Sequence, residues 1–75
     1  MPNITVKMYP GRTEEEKKVL AEKLAETLLE VTGVPEAAVS VVIKDIPPED
    51  WKREMAENDF ADRNLIYRMP GYPID

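Results

Sequence analysis

A strand pattern, a helix pattern and a second strand pattern follow one another within the first 45 residues, and this order constrains the fold most. Apolar and polar side chains alternate over Pro2–Met8, as they do in strands with one buried face. Val39–Asp45 is predicted to be the second strand, and its apolar run Val41–Ile43 indicates partial burial on both faces. Between these stretches, apolar residues recur at helical spacing. Two strands joined by such a helix run parallel, so the order predicts a β-α-β unit in an α/β fold.

The predicted helix has a defined start and end. Thr13 and Glu16 have the spacing of a capping box, and Glu14 and Lys18 are spaced for an ion pair across one turn. Gly33 suits the left-handed conformation that ends many helices. The apolar stripe predicted to face the sheet consists of Leu20, Ala21, Leu24, Ala25, Leu28, Leu29 and Val31.

Shorter elements are predicted after the second strand. A short helix begins at Pro48, a residue that fits a first helical turn, and Asn58–Asp59 interrupts it. Phe60–Arg68 is predicted to form a second helical stretch with Leu65 and Ile66 facing inward. The tail, 69–75, has the composition of turns and cannot be a central strand.

The chain is too short to support a large core alone. Its 75 residues form one domain, 1–75, and contain no cysteine and no histidine. Disulfides and cysteine zinc sites are therefore excluded, and the commonest metal ligand is missing. A two-stranded sheet also leaves two open edges and one bare face. We expect the sheet to be completed by oligomerisation.

The net charge of −5 and the pI near 4.7 argue against a nucleic-acid partner, which requires a basic surface. No apolar run approaches the ~20 residues that span a bilayer, so no membrane partner is expected. No secretory signal is visible at the N-terminus. We therefore expect a soluble, cytoplasmic protein.

Pro2 is the first candidate for chemistry. If Met1 is removed, its ring nitrogen becomes a secondary amine at the start of a strand. Apolar surroundings or a nearby cation favour the uncharged form of such an amine, which can then accept a proton near neutral pH. Taken alone, a proline here more often does nothing but begin a strand.

Three further candidates are side chains. Arg12 could bind a carboxylate in bidentate fashion, although surface arginines are common. Trp51, the only tryptophan, could line a pocket for an aromatic ligand or simply anchor the short helix. The lone tyrosines are more often packing residues with a solvated hydroxyl: Tyr9, Tyr67 and Tyr72.

Together these residues resemble the tautomerase superfamily. Its pattern of an N-terminal proline, an alternating strand and G-R-[ST]-x-E-x-K opening a long helix reads here PNITVKMYPGRTEEEKK, from Pro2 to Lys18. GVPEAAVSVVI then matches the helix exit and second strand of that family. The later IPPEDW and MPGYP stretches are similar to the short dimeric subgroup related to 4-oxalocrotonate tautomerase, which includes phenylpyruvate tautomerases.

The resemblance implies keto-enol tautomerisation of a small, plausibly aromatic 2-oxo acid, without cofactor or metal. Pro2 would be the base, Arg12 would bind the substrate carboxylate, and Trp51 would be the hydrophobic wall. The β-α-β unit would assemble as a homodimer, or as a trimer of dimers.

Ser40 departs from the pattern of the larger tautomerases, which have a second arginine on the second strand. A serine at this substrate-binding position can donate one hydrogen bond but carries no charge. Arg53, Arg63 or Arg68 could supply the missing cation. Two alternatives stay open: a dehalogenase or decarboxylase of the same superfamily, and a non-catalytic assembly or binding module.

Overall fold

The computed structural model describes residues 1–74, and the chain divides into two compact units, with the boundary in the sequence between Asp45 and Ile46. Both predicted strands, the long helix and the short helix are present. The main elements are β1 (Asn3–Met8), α1 (Glu14–Thr32), β2 (Ser40–Asp45) and α2 (Pro48–Glu54).

The first unit contains a two-stranded parallel sheet with α1 between the strands in sequence. The register runs from Asn3 opposite Ser40 to Met8 opposite Asp45. The two strands pair along their whole length, and the sheet of this single chain is open at both edges. The predicted β-α-β architecture is therefore confirmed, and its sheet has the open form expected of a subunit before oligomerisation.

Each strand begins one residue later than predicted. Pro2 has no amide hydrogen to donate to a ladder, and the strand starts at Asn3. Val39 donates its amide hydrogen to the Glu36 carbonyl over 3.3 Å, which closes a 3-10 turn at Glu36–Ala38. The second strand therefore starts at Ser40.

Both predicted ends of α1 are confirmed. The Thr13 hydroxyl accepts a hydrogen bond from the Glu16 amide, and the Glu16 carboxylate accepts one from the Thr13 amide, each over 3.0 Å. Gly33 adopts φ 72°, in the left-handed region, and donates its amide hydrogen to the Leu29 carbonyl. Glu14 pairs with Lys17, three residues on, at 3.6 Å.

The interior of the first unit is shallow. The predicted apolar stripe of α1 is half-buried as far as Leu29, but Val31 is 79% exposed, so its predicted inward position is wrong. Among the described residues of the chain, Met55 alone is buried, at 6% exposure. An open sheet and so small a core are expected of a chain that completes its packing with a partner.

The second unit begins at Ile46 and starts with the predicted short helix, α2, with Pro48 in its first turn. The predicted interruption at Asn58–Asp59 is wrong. The Phe60 amide donates to the Met55 carbonyl over 2.7 Å, so Met55–Asp59 continues as one π-helical turn.

The predicted helical stretch over 60–68 is also mostly wrong. It contains one 3-10 turn, Arg63–Leu65, because the Asp62 side chain accepts the Asn64 amide and caps only a single turn. Leu65 is 67% exposed instead of facing inward, whereas Ile66 is half-buried. The part of the tail that is described contains no strand, and none of the helices in residues 1–74 is long and apolar enough to cross a membrane.

Candidate active site

Pro2 lies directly before β1 and is half-buried. Its carbonyl oxygen accepts a hydrogen bond of 3.2 Å from the backbone amide of Ser40, the first residue of β2. The parallel ladder thus extends one hydrogen bond beyond the start of β1 and holds the backbone of Pro2 at this end of the sheet. Met1 precedes it and is fully exposed to solvent.

Ser40 uses its side chain as well as its backbone at this end of the sheet. The Ser40 hydroxyl donates to the Asn3 side-chain oxygen over 2.6 Å, and the Asn3 amide group donates to the Thr5 hydroxyl over 3.1 Å. The one proton that Ser40 can donate is therefore directed to Asn3. Sequence reasoning missed Asn3, since its partner lies 37 residues away.

Arg12 lies beyond the other end of β1. It follows Gly11, whose φ of 129° is open to glycine and strained for other residues, and it precedes the N-cap Thr13. The Arg12 side chain is 65% exposed and its guanidinium lies 4.0 Å from a Glu16 carboxylate oxygen. Met8–Arg12 line a partly open depression on this surface.

Electrostatics around Arg12 favour the charged form of Glu16. The hydrogen bond from the Thr13 backbone amide holds the pKa of Glu16 below its usual value, and the hydrogen bond of the Thr13 side chain and the Arg12 charge act in the same direction. Glu16 is exposed, so solvent screens this interaction.

Pro2 and Arg12 lie at opposite ends of the same strand. The six residues of β1 that lie between them span roughly 20 Å, at about 3.3 Å per residue. A small 2-oxo acid is much shorter than that. One chain therefore does not bring the predicted base and the predicted carboxylate ligand together.

Lys17 is a further charged residue near the Arg12 end. Its ammonium group lies 3.0 Å from an Asp45 carboxylate oxygen, and its side chain is only 17% exposed. The hydrogen bond to Asp45 raises the pKa of Lys17 above its usual value. The signal that could have identified Lys17 was its spacing: it lies three residues before Leu20, on the helix face that the apolar stripe continues, and a lysine on a half-buried face needs a carboxylate partner.

Trp51 belongs to the second unit, on α2, and is half-buried. Its indole nitrogen donates a hydrogen bond of 3.1 Å to the Tyr72 hydroxyl, which ties the tail to α2. An indole N–H can only donate, so the Tyr72 hydroxyl oxygen is the acceptor in this bond. The Tyr72 hydroxyl proton is not used in it.

The three arginines considered as substitutes for a cation at position 40 all lie in this second unit and are exposed: Arg53, Arg63 and Arg68. Arg53 is 3.2 Å from Asp50, one turn back on the same helix. Within residues 1–74, no group of three or more acidic, histidine or cysteine side chains could hold a metal ion.

Comparison with known proteins gives a consistent family assignment. A family model described as "Tautomerase enzyme" matches residues 2–57. A probable tautomerase of Xylella fastidiosa is 40% identical over 74 residues, which covers 96% of this chain and 89% of that protein. The 2-hydroxymuconate tautomerase of Pseudomonas putida is 45% identical over 51 residues, covering 68% of this chain and 81% of that protein.

Solved structures show the same relationship in three dimensions. A structure from work on the 4-oxalocrotonate tautomerase isozymes of Methylibium petroleiphilum superposes with a TM-score of 0.63 at 38% identity, covering 67% of this chain and 81% of its own. TomN, a 4-oxalocrotonate tautomerase homologue in the tomaymycin biosynthetic pathway, gives 0.64 at 38% identity and covers 67% and 77%.

Proposed function

Since this chain belongs to the tautomerase family and is an isomerase, we propose that it interconverts the keto and enol forms of a small, aromatic 2-oxo acid, with the Pro2 amine as the base. The observation that carries the proposal is the position of Pro2, half-buried at the head of β1 and held there by the Ser40 amide. The relative named for 2-hydroxymuconate supports the substrate class, because that compound is the enol of a 2-oxo acid.

The reaction is an internal proton transfer. The uncharged ring nitrogen of Pro2 takes the proton from the enol hydroxyl, and the electrons of that O–H bond form the carbonyl. The electrons of the C=C bond then take the proton back at carbon 3. Substrate and product have the same atoms and charge, so the proton returns and the amine is regenerated.

Removal of Met1 is a requirement of this mechanism. While Met1 is attached, the Pro2 nitrogen is a tertiary amide and has no basic lone pair. The complete exposure of Met1 leaves this peptide bond accessible to an aminopeptidase. The enzyme is active only in the processed form.

The carboxylate site is proposed to come from a second copy of the chain. With the two residues at opposite ends of one strand, Arg12 of one subunit meets Pro2 of another when the open sheets associate. The guanidinium then binds the substrate carboxylate in bidentate fashion and stabilises the enolate that forms. We propose a homodimer in the cytoplasm, with a trimer of dimers as the alternative assembly.

Trp51 is proposed as the aromatic wall of the pocket, and Ser40 as a neutral substitute for a second cation. If Trp51 contacts the ring of the substrate, Trp51→Ala raises KM for enol-phenylpyruvate more than KM for 2-hydroxymuconate, which has no ring. Equal effects on the two substrates would place Trp51 outside the pocket.

The test compares ketonisation of enol-phenylpyruvate and 2-hydroxymuconate by the wild type and by Pro2→Ala. We expect Pro2→Ala to lose at least ~100-fold in kcat, since its terminal primary amine lacks the ring that fixes the orientation of the Pro2 nitrogen. Circular dichroism serves as the control for folding. Equal rates for the two proteins would rule out Pro2 as the base.

Intact-mass spectrometry of the protein from its native host addresses the non-catalytic alternative. A free prolyl terminus supports the enzyme, whereas a retained Met1 supports a binding or assembly module. Turnover of 3-haloacrylates without ketonisation would instead indicate a dehalogenase.

A further inference from the structure

Lys17 has an unusual environment for a lysine on a small acidic protein. Its side chain is turned toward the end of β2, where the ammonium group contacts Asp45 at 3.0 Å and Glu14 at 3.6 Å. Lysine side chains normally extend into water, and ion pairs between exposed groups contribute little. With only 17% of its side chain exposed, Lys17 is screened less than the exposed pairs of the same helix.

Asp45 contacts the chain on both sides of the segment Tyr9–Arg12: it is paired with Met8 before the segment and bonded to Lys17 after it. It is the last residue of β2 and lies opposite Met8, the last residue of β1, in the parallel register. The segment Tyr9–Arg12 leaves the sheet at that point and enters α1. The first turn of α1 is then bonded back to the same Asp45 through Lys17.

Lys17 also belongs to the turn that follows Arg12 directly. Its backbone amide donates to the Thr13 carbonyl over 3.1 Å, as the first hydrogen bond of the helix. The start of α1 is therefore fastened to the sheet by the Lys17–Asp45 pair, at a distance of only five residues from Arg12. The segment has one end in the β ladder and the other in this ion pair.

Arg12 itself has weak local support. Its side chain is 65% exposed, and the 4.0 Å contact with Glu16 is at the limit for an ion pair. The preceding Gly11 is the most permissive residue type for the backbone. The position of the Arg12 backbone, from which the guanidinium extends, therefore depends on how firmly the two ends of its segment are held.

We propose that the Lys17–Asp45 ion pair is a positioning element for Arg12, which orients the guanidinium toward the substrate carboxylate in the neighbouring subunit. The proposal depends on the proposed function for the role of Arg12 in binding the carboxylate. The geometry of the segment Tyr9–Arg12 does not depend on it. Lys17 touches no substrate; it acts through Arg12. Loss of the pair leaves α1 capped by Thr13 and Glu16 but releases its first turn from β2.

A double-mutant cycle tests whether Lys17 acts through Arg12. We expect Lys17→Met to lower kcat/KM about tenfold, mainly through KM, because carboxylate binding is lost in ground state and transition state alike. In an Arg12→Ala background the same change should alter kcat/KM less than about twofold. Lys17→Arg, which keeps a cation within reach of Asp45, should retain most of the wild-type value.

Lys23→Met is the matched control. Lys23 lies on the same helix and pairs with Glu26 at 3.9 Å, but its side chain is 72% exposed and the pair does not reach the sheet. It should leave KM unchanged. A tenfold effect of Lys17→Met that persists in the Arg12→Ala background would show that Lys17 acts independently of Arg12 and would overturn the proposal.

Backbone dynamics test the same proposal without catalysis. In the full-length protein we expect ¹⁵N order parameters of Gly11 and Arg12 near 0.85 in the wild type, falling toward about 0.6 in Lys17→Met but not in Lys23→Met. If tautomerase activity is absent while this change occurs, the proposed function fails and the positioning role stands. Unchanged order parameters in Lys17→Met, or a segment already mobile in the wild type, would refute the positioning role whatever the activity.

Discussion

Ser40 and Asn3 face each other across the two strands, and the Ser40 hydroxyl donates to the Asn3 side-chain oxygen over 2.6 Å. The next backbone bond along the ladder joins Ser40 to Pro2. Position 40 is therefore adjacent to the proposed base, but its side chain is neutral and is already hydrogen-bonded.

Ser40→Arg should increase activity, because it adds a cation beside Pro2. A preorganised charged donor stabilises an enolate far better than a hydroxyl, and we expect kcat/KM to rise about tenfold. The matched control is Ser40→Ala, which removes the bond to Asn3 without adding charge and should leave kcat/KM within about threefold of the wild type. The measurement is ketonisation of 2-hydroxymuconate. If the arginine and alanine variants have the same rate, a cation at this position has no role.

Mixing two impaired variants should restore activity if the site is shared between subunits. In a refolded equimolar mixture of Pro2→Ala and Arg12→Ala, a site has both intact residues with a probability of about one quarter. We therefore expect about a quarter of the wild-type activity, whatever the size of the oligomer. The unmixed variants are the controls. A mixture no more active than its components would show that each chain supplies both residues of its own site.

Acid should destabilise the chain partly through Glu16. Because the Thr13 amide lowers the pKa of Glu16 below 4.5, the charged carboxylate stabilises the folded state above that pH, and this stabilisation is lost as the pH falls through the lowered pKa. The urea midpoint of Glu16→Gln should therefore fall less than that of the wild type between pH 6 and about 3. Glu15→Gln, in the same turn but outside the capping box, is the control and should follow the wild type.

High pH should destabilise the fold partly through deprotonation of Lys17. Its pKa is raised above 10.5, chiefly by the hydrogen bond to Asp45, so the ion pair stabilises the fold below that pH and the stabilisation is lost as the pH rises through the raised pKa. Lys17→Arg keeps its charge at any accessible pH. Its urea midpoint should decline less than that of the wild type above pH 10.5. Parallel declines in the two proteins would mean that Lys17 contributes nothing to the alkaline limit.

Much of the first unit could be predicted because its signals are local. The capping box joins residues three apart, the Gly33 amide bonds to Leu29 four residues back, and strand alternation has a period of two. The prediction over 60–68 was wrong for the opposite reason: helical propensity there is weak, and a bond from Phe60 to Met55 extended the previous helix by a π turn. Leu65 and Val31 are apolar and yet exposed, because the residue type does not determine which other residues pack over it.

The residues of the candidate site could be selected from the sequence by their chemical type, but their arrangement in space could not be predicted from it. Pro2, Arg12, Ser40 and Trp51 could be selected because few residue types perform the required chemistry. That the first two lie at opposite ends of β1 follows only once the length of the strand and the point where the chain leaves it are known.

By itself, the sequence determined the order of elements, the ends of α1 and the resemblance to the tautomerases, since these depend on contacts within a few residues. Only the tertiary structure decided that Asn3 bonds to Ser40, that Lys17 bonds to Asp45, and that Pro2 and Arg12 are far apart in one chain. The physical reason is sequence separation: the two bonded pairs are 37 and 28 residues apart. The parallel register places Asn3 opposite Ser40, the contact of α1 with β2 brings Lys17 to Asp45, and no local pattern specifies either.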